Sequence, residues 1–133
     1  MRLLVVDASA LVEVLLGTPR GRPMHAALSA PDADLHVPSL CDVEVASALR
    51  GLLHRGELGP RRAEAALSDY RDLPLTRHGH VRLLDRIFEL RKNFSCYDAS
   101  YVALAEGLDA PFCSGDDRLL AGVQAYTQVR LVR

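Results

Sequence analysis

The chain is short of lysine and cysteine and has no long apolar run, and each shortage excludes something. Of its sixteen basic residues fifteen are arginine, and Lys92 is the one lysine. Arginine suits bidentate phosphate contacts, but a GC-rich coding sequence produces the same bias. The net charge of −1 gives no global electrostatic case for a nucleic-acid partner. Cys41, Cys96 and Cys113 are odd in number, far apart and form no CxxC pair. That excludes a disulfide framework or a cysteine zinc site and suits a reducing compartment. No apolar stretch approaches membrane-spanning length, and the amino terminus lacks the three regions of a signal peptide, so a cytoplasmic protein without membrane contact is expected. Repeats, linkers and low-complexity segments are also missing. What remains is 133 residues, 49% hydrophobic and 25% charged, which is the size and balance of a single domain over 1–133.

Leu3 to Val6 is an apolar run with two β-branched residues, the pattern of a strand buried on both faces of a parallel sheet. It stops at Asp7, and a helix over Ser9–Leu16 follows, ended by Gly17 and Pro19. A loop is expected at Gly21–Pro23, a short helix at Met24–Ser29 and a strand at Leu35–Val37. Ser39, with Asp42 three places on, reads as a capping box for a helix to about Arg55. Cys41, Val45, Ala48, Leu49 and Leu52 form its apolar stripe. Glu44, Ser47 and Gly51 share another line, where two small residues leave the carboxylate room to enter a cleft. Further on, the patterns give a helix from Pro60 through Tyr70, a strand at Leu73–Thr76 and an amphipathic helix at His80–Leu90. Ser95 caps another helix, Pro111–Cys113 is a strand, Arg118–Val123 a helix and Val129–Val132 a last strand. Helices alternating with short strands predict an α/β fold, a sandwich around a central parallel sheet.

Four acids fall at element ends or helix starts: Asp7, Glu44, Asp98 and Asp116. In an open α/β sheet, ligands collect outside the carboxyl ends of the strands, so these acids are placed to converge there. Each also has a plainer use. Asp7 can cap the following helix, Glu44 can be an ordinary exposed acid, and Asp98 and Asp116 suit helix N-termini. If they do converge, crowded carboxylates raise one another's pKa unless a cation neutralises them. Magnesium takes such oxygen ligands and suits in-line hydrolysis of a phosphodiester.

Four segments carry a family resemblance. They are Val5-Val6-Asp7-Ala8-Ser9, Asp42 to Leu49 in the third helix, Tyr97 to Ala105, and Ser114-Gly115-Asp116-Asp117-Arg118-Leu119. In this order and spacing the chain resembles PIN-domain proteins, and among them the VapC-type toxin ribonucleases of toxin–antitoxin pairs. The resemblance implies a three-layer α/β/α sandwich and an acidic pocket holding Mg2+ or Mn2+. Asp7, Glu44 and Asp98 match the core acids and Asp116 the fourth, its Ser-x-Asp register setting it ahead of Asp117. Ser9 and Ser114 match hydroxyls that support the metal or its waters. An RNA substrate, a small antitoxin protein and a homodimer are the implied partners.

Two other readings compete. A phosphoacid enzyme needs a second acid two places after the nucleophile, where Ser9 stands, or a lysine after a late strand, and Lys92 lies elsewhere. A PIN-like RNA-binding or scaffold module without nuclease activity would use the acids structurally. Arg77, His78, His80 and Arg82 suit either a surface loop or an RNA path. Tyr97 and Tyr101 can stack on bases, although Tyr101 has the spacing of a core residue.

Overall fold

A computed structural model describes residues 1–132. Strand β1 (Arg2–Val6) is one of the sheet's two inner strands, and Leu4, Val5 and Val6 are buried on both of its faces. The helices α1 (Ala8–Leu16) and α2 (Gly21–Leu28) lead to β2 (Ala33–Pro38). Helices α3 (Cys41–His54) and α4 (Pro60–Asp72) lead to β3 (Thr76–His78). A turn of 3-10 helix, α5 (Leu84–Glu89) and a second such turn precede α6 (Cys96–Leu108), β4 (Phe112–Cys113) and α7 (Asp117–Tyr126).

The sheet is parallel throughout, in the order β3-β2-β1-β4. Two crossovers run outward from β1 to β3, and the next returns across the sheet to β4. With right-handed crossovers, the reversal puts the two sets of helices on opposite faces. Accordingly α1 to α4 pack on one another, while α5 and its flanking turns pack on α6. The result is the three-layer α/β/α sandwich.

Helix α6 lies against β1 and β2. Residues Ala99 through Ala105 are all buried, as in a helix enclosed nearly all round. Tyr101 and Phe112 are the largest wholly buried side chains, with ring centroids 6.2 Å apart.

Several elements depart from the sequence reading. Gly21 to Pro23 form the first turn of α2, not a loop. Pro23 is tolerated there because first-turn N–H groups have no intrahelical partner to lose. A Cβ on Gly21 would stand 2.4 Å from the Glu13 carbonyl oxygen, so glycine lets α2 start against the end of α1. Strand β3 lies two to three residues later than expected. In the 80–90 segment only Ile87 and Leu90 are buried, whereas Val81, Leu84 and Phe88 face outward. With so small a buried face the segment breaks into short helical pieces. The last strand reduces to a single parallel bridge between Leu131 and Phe112.

Candidate active site

Asp7 and Ser114 follow directly on β1 and β4, which pair with each other. From β1 the chain proceeds to β2 on one side, and β4 lies on the other. Asp7 therefore stands at the topological switch point, where open α/β sheets form a crevice.

Asp7 is 4% exposed and both of its carboxylate oxygens accept hydrogen bonds. Oδ1 accepts from the Ser9 hydroxyl at 2.7 Å and from the Ala10 N–H at 2.9 Å. Oδ2 accepts from the Ser114 hydroxyl at 2.6 Å. Both serines are oriented from behind. The Gly115 N–H donates to Ser9 Oγ at 2.9 Å, and the Asp116 N–H donates to Ser114 Oγ at 3.0 Å. The helix-cap role and the central position are thus the same contact. Asp7 caps α1 because the chain turns from strand to helix over its carboxylate.

Glu44 sits in the first turn of α3, and its Oε1 accepts from the Tyr101 hydroxyl at 2.6 Å. The start of α3 is held by the loop after β3. The Ser39 hydroxyl donates to the His78 carbonyl at 3.1 Å, and the Leu40 N–H donates to His80 Nε2 at 3.1 Å. Asp42 accepts from Arg77 Nε at 2.9 Å and from the Tyr70 hydroxyl at 2.6 Å. The expected Ser39–Asp42 capping box is therefore not formed, because both side chains turn to tertiary partners. Arg77 and His80 thus brace the start of α3, and Arg77, His78 and Arg82 line a cleft beside it.

Asp98 lies in the first turn of α6, where its N–H donates to the Ser95 cap at 3.1 Å. Asp116 is exposed and caps α7, accepting from the Arg118 N–H at 3.0 Å and the Leu119 N–H at 3.2 Å. Asp98 and Asp116 line one cleft with Asn93 and Arg118, of ≈ 340 Å³. Asp117 turns away to an ion pair with Arg20. Ser9 and Glu44 open on a second cleft of ≈ 470 Å³ between α1 and α3. Ser47 and Gly51 line it too, as their spacing predicted.

Burial is the main cause that pushes the Asp7, Glu44 and Asp98 carboxyls above the usual carboxylate range. Their negative neighbours add to it. Asp98 raises Asp7, Asp7 and Asp98 raise Glu44, and Asp116 raises Asp98. Hydrogen bonds from Ser114, Ala10 and Ser9 offset part of the rise at Asp7, and the Tyr101 hydroxyl part of that at Glu44. Among the described residues, none of the three forms an ion pair with arginine, lysine or histidine.

Among the described residues, no three histidine, cysteine or acidic side chains are gathered into a ready-made metal group. The acids are close enough to repel one another, yet serine and tyrosine hydroxyls hold the Asp7 and Glu44 oxygens. Chemically the set still fits a hard divalent cation. It offers oxygen donors only, partly desolvated, with uncompensated like charge.

Sequence reasoning missed the Tyr101–Glu44 bond. A tyrosine on a buried helical stripe needs a partner for its hydroxyl, and that need was the available signal. It also assigned nothing to His36, which is buried and whose Nδ1 lies 2.8 Å from His78 Nε2.

The PIN domain family model matches residues 4–123. Ribonuclease VapC9 of Mycobacterium tuberculosis is 44% identical over 130 residues, 98% of each chain. Ribonuclease VapC1 of the same organism is 38% identical over 97% of each. The solved structure of VapBC2 from Rickettsia felis, bound to a DNA fragment from its promoter, superposes with a TM-score of 0.70. It shares 11% identity, over 98% of this chain and 97% of that one, which is a likeness of fold. A match over nearly the whole length, to the family model and to full-length relatives alike, shows that this chain belongs to the PIN-domain family, among its VapC ribonucleases.

Proposed function

We propose that the protein is a divalent-metal-dependent endoribonuclease, the toxin of a VapBC-type toxin–antitoxin pair. The observation that carries this reading is the uncompensated acid set at the switch point of the sheet. Three carboxylates with raised pKa and no ion-pair partner among the described residues are destabilised alone and stabilised by a cation. Asp7, Glu44 and Asp98 would hold magnesium or manganese, with Asp116 at the rim. The metal's contribution there is to activate water and to neutralise charge on the scissile phosphate.

The other roles belong to the chain's own groups. Ser9 and Ser114 fix the two Asp7 oxygens, and Tyr101 fixes Glu44. Burial excludes bulk water from Asp7. Likeness to the VapC ribonucleases supports the RNA substrate, and the proposal includes a small antitoxin that restrains the enzyme, a homodimer and a cytoplasmic location. No helix of the described residues is long and apolar enough to cross a membrane.

The test incubates total RNA with the purified protein in magnesium or manganese, with and without chelator, beside Asp7→Asn. Cleavage that requires metal and disappears in Asp7→Asn is expected. Cleavage that survives both would refute the assignment. A scaffold module would also gain no thermal stability from the metal, whereas this site gains it in proportion to occupancy.

A further inference from the structure

The chain has seven aromatic residues and no tryptophan. Six of the seven are buried or have a ring partner, although Phe88 and Tyr126 are themselves 61% and 58% exposed. Tyr70, Phe94, Tyr101 and Phe112 are buried. Arg91 lies over the Phe88 ring at 4.3 Å from its centroid, and Tyr126 meets Phe94 edge-on at 6.4 Å. Among the described residues Tyr97 alone keeps a ring with neither an aromatic nor a cationic partner. It is 67% exposed.

Its place is specific. Tyr97 occupies the first turn of α6, immediately before Asp98 and four residues before Tyr101. Residues four apart share a helix face, so its ring stands one turn outward from the tyrosine whose hydroxyl reaches Glu44. Its backbone is fixed as well, since the Tyr97 carbonyl accepts from the Ser100 hydroxyl at 2.6 Å. An open aromatic face at the start of the helix that carries Asp98 is suited to base stacking.

The charge balance gives such a platform work to do. Phosphate attraction usually supplies most nonspecific affinity for nucleic acid. A chain of net charge −1, with acids at its centre, supplies little of it. Base–aromatic stacking is independent of that charge and tolerant of sequence.

We propose that Tyr97 stacks on an unpaired base of the RNA strand and so positions the neighbouring phosphate at the acids. The inference rests on the ribonuclease reading above, and its test separates the two. Binding of a labelled single-stranded oligoribonucleotide is measured by anisotropy in magnesium, in the Asp7→Asn background, where RNA is held and not cut. Adding Tyr97→Ala weakens binding about five-fold or more, by a similar factor at low and high salt, while Tyr97→Phe retains it. Tyr97→Trp in the same background introduces the sole tryptophan. Its fluorescence is quenched in a saturable way by single-stranded RNA and not by duplex. In the otherwise native enzyme Tyr97→Ala raises KM more than it lowers kcat.

RNA bound equally well by Tyr97→Ala, or a tryptophan unaffected by RNA, overturns this inference alone and leaves the ring for a protein partner. A well-folded Asp7→Asn protein that binds no RNA, beside a native protein that cuts none, overturns the ribonuclease reading and this one with it. Equal melting temperatures of the Tyr97 variants exclude misfolding as the cause.

Discussion

Tyr101→Phe isolates one hydroxyl at the centre of the molecule. The ring is 1% exposed and packs beside Phe112, so phenylalanine keeps the packing and removes the bond to Glu44. A hydrogen bond to a charged group contributes about 1.5–3 kcal/mol. Glu44 is only partly buried, and water can replace some of the lost donor. We therefore expect a loss of about 1–2 kcal/mol at neutral pH, toward the lower end of that range. For a chain of this size that lowers the melting temperature by about 3–8 °C. The bond holds the Glu44 carboxyl down against burial and against Asp7 and Asp98. Without it that pKa rises further, and the deficit relative to the native protein shrinks as acid protonates the carboxylate. Thermal unfolding in chelator at pH 7 and pH 4 measures both effects. A melting temperature within about 1 °C of native at pH 7 would refute the reasoning, as would a deficit equal at both pH values.

The metal-free protein should lose stability as pH rises from about 4, through the raised folded pKa values of Asp7, Glu44 and Asp98. Over that window the folded state binds more protons than the unfolded one, so the slope of unfolding free energy against pH is negative. Melting curves in chelator across pH 4–7 show the fall, and Asp7→Asn flattens it; a rise with pH would contradict the assignment. Gly21→Ala drives a Cβ into the Glu13 carbonyl and should cost about 1–3 kcal/mol, read as a lower melting temperature than that of Gly59→Ala, where the space is open. Cys41 and Cys113 are buried, with thiols pushed up to about 11 and about 12, whereas Cys96 is exposed. Mass spectrometry after brief alkylation of the native protein should therefore find one modified cysteine, Cys96; prompt labelling at Cys41 or Cys113 would contradict the packing.

Periodicity made the sandwich legible wherever burial was one-sided or complete. The Leu3–Val6 run, the Cys41–Leu52 stripe and the Ser95 cap all occupy the roles that their pattern implied. It failed where tertiary contact overruled local preference. Gly21 and Pro23 read as loop punctuation, because nothing in the sequence says that another helix end lies 2.4 Å from a missing Cβ. The 80–90 segment has the count of apolar residues that a core helix needs, yet Val81, Leu84 and Phe88 lie on the wrong side of it. Ser39 and Asp42 carry a capping-box spacing, but the partners that took them, His78, Tyr70 and Arg77, come from distant segments. Local signals rank the options a side chain has, and the fold decides among them.

The acids show why that distinction matters for function. Read singly, Asp7 and Asp116 look like helix caps and Asp98 like a first-turn acid, and the structure agrees with every one of those plain readings. What it adds is that the three helices start at one edge of one sheet. A parallel sheet brings successive strand ends, and therefore successive helix N-termini, to the same side. Each N-terminus favours an acid through its free N–H groups and its dipole. Gathering several of them charges the edge negatively without any residue departing from its local role. The excess appears only in the sum, where neighbouring carboxylates add to burial in raising the carboxyl pKa values. Local capping stabilises α1 and α7 in isolation, so the proposed cation site can draw on Asp7 and Asp116 without cost to their helices. On this argument, replacing Asp116 by serine should keep α7 capped and the fold stable while lowering metal affinity. At Asp7 serine is no equivalent replacement, because its single oxygen cannot keep both the Ala10 and the Ser114 contacts.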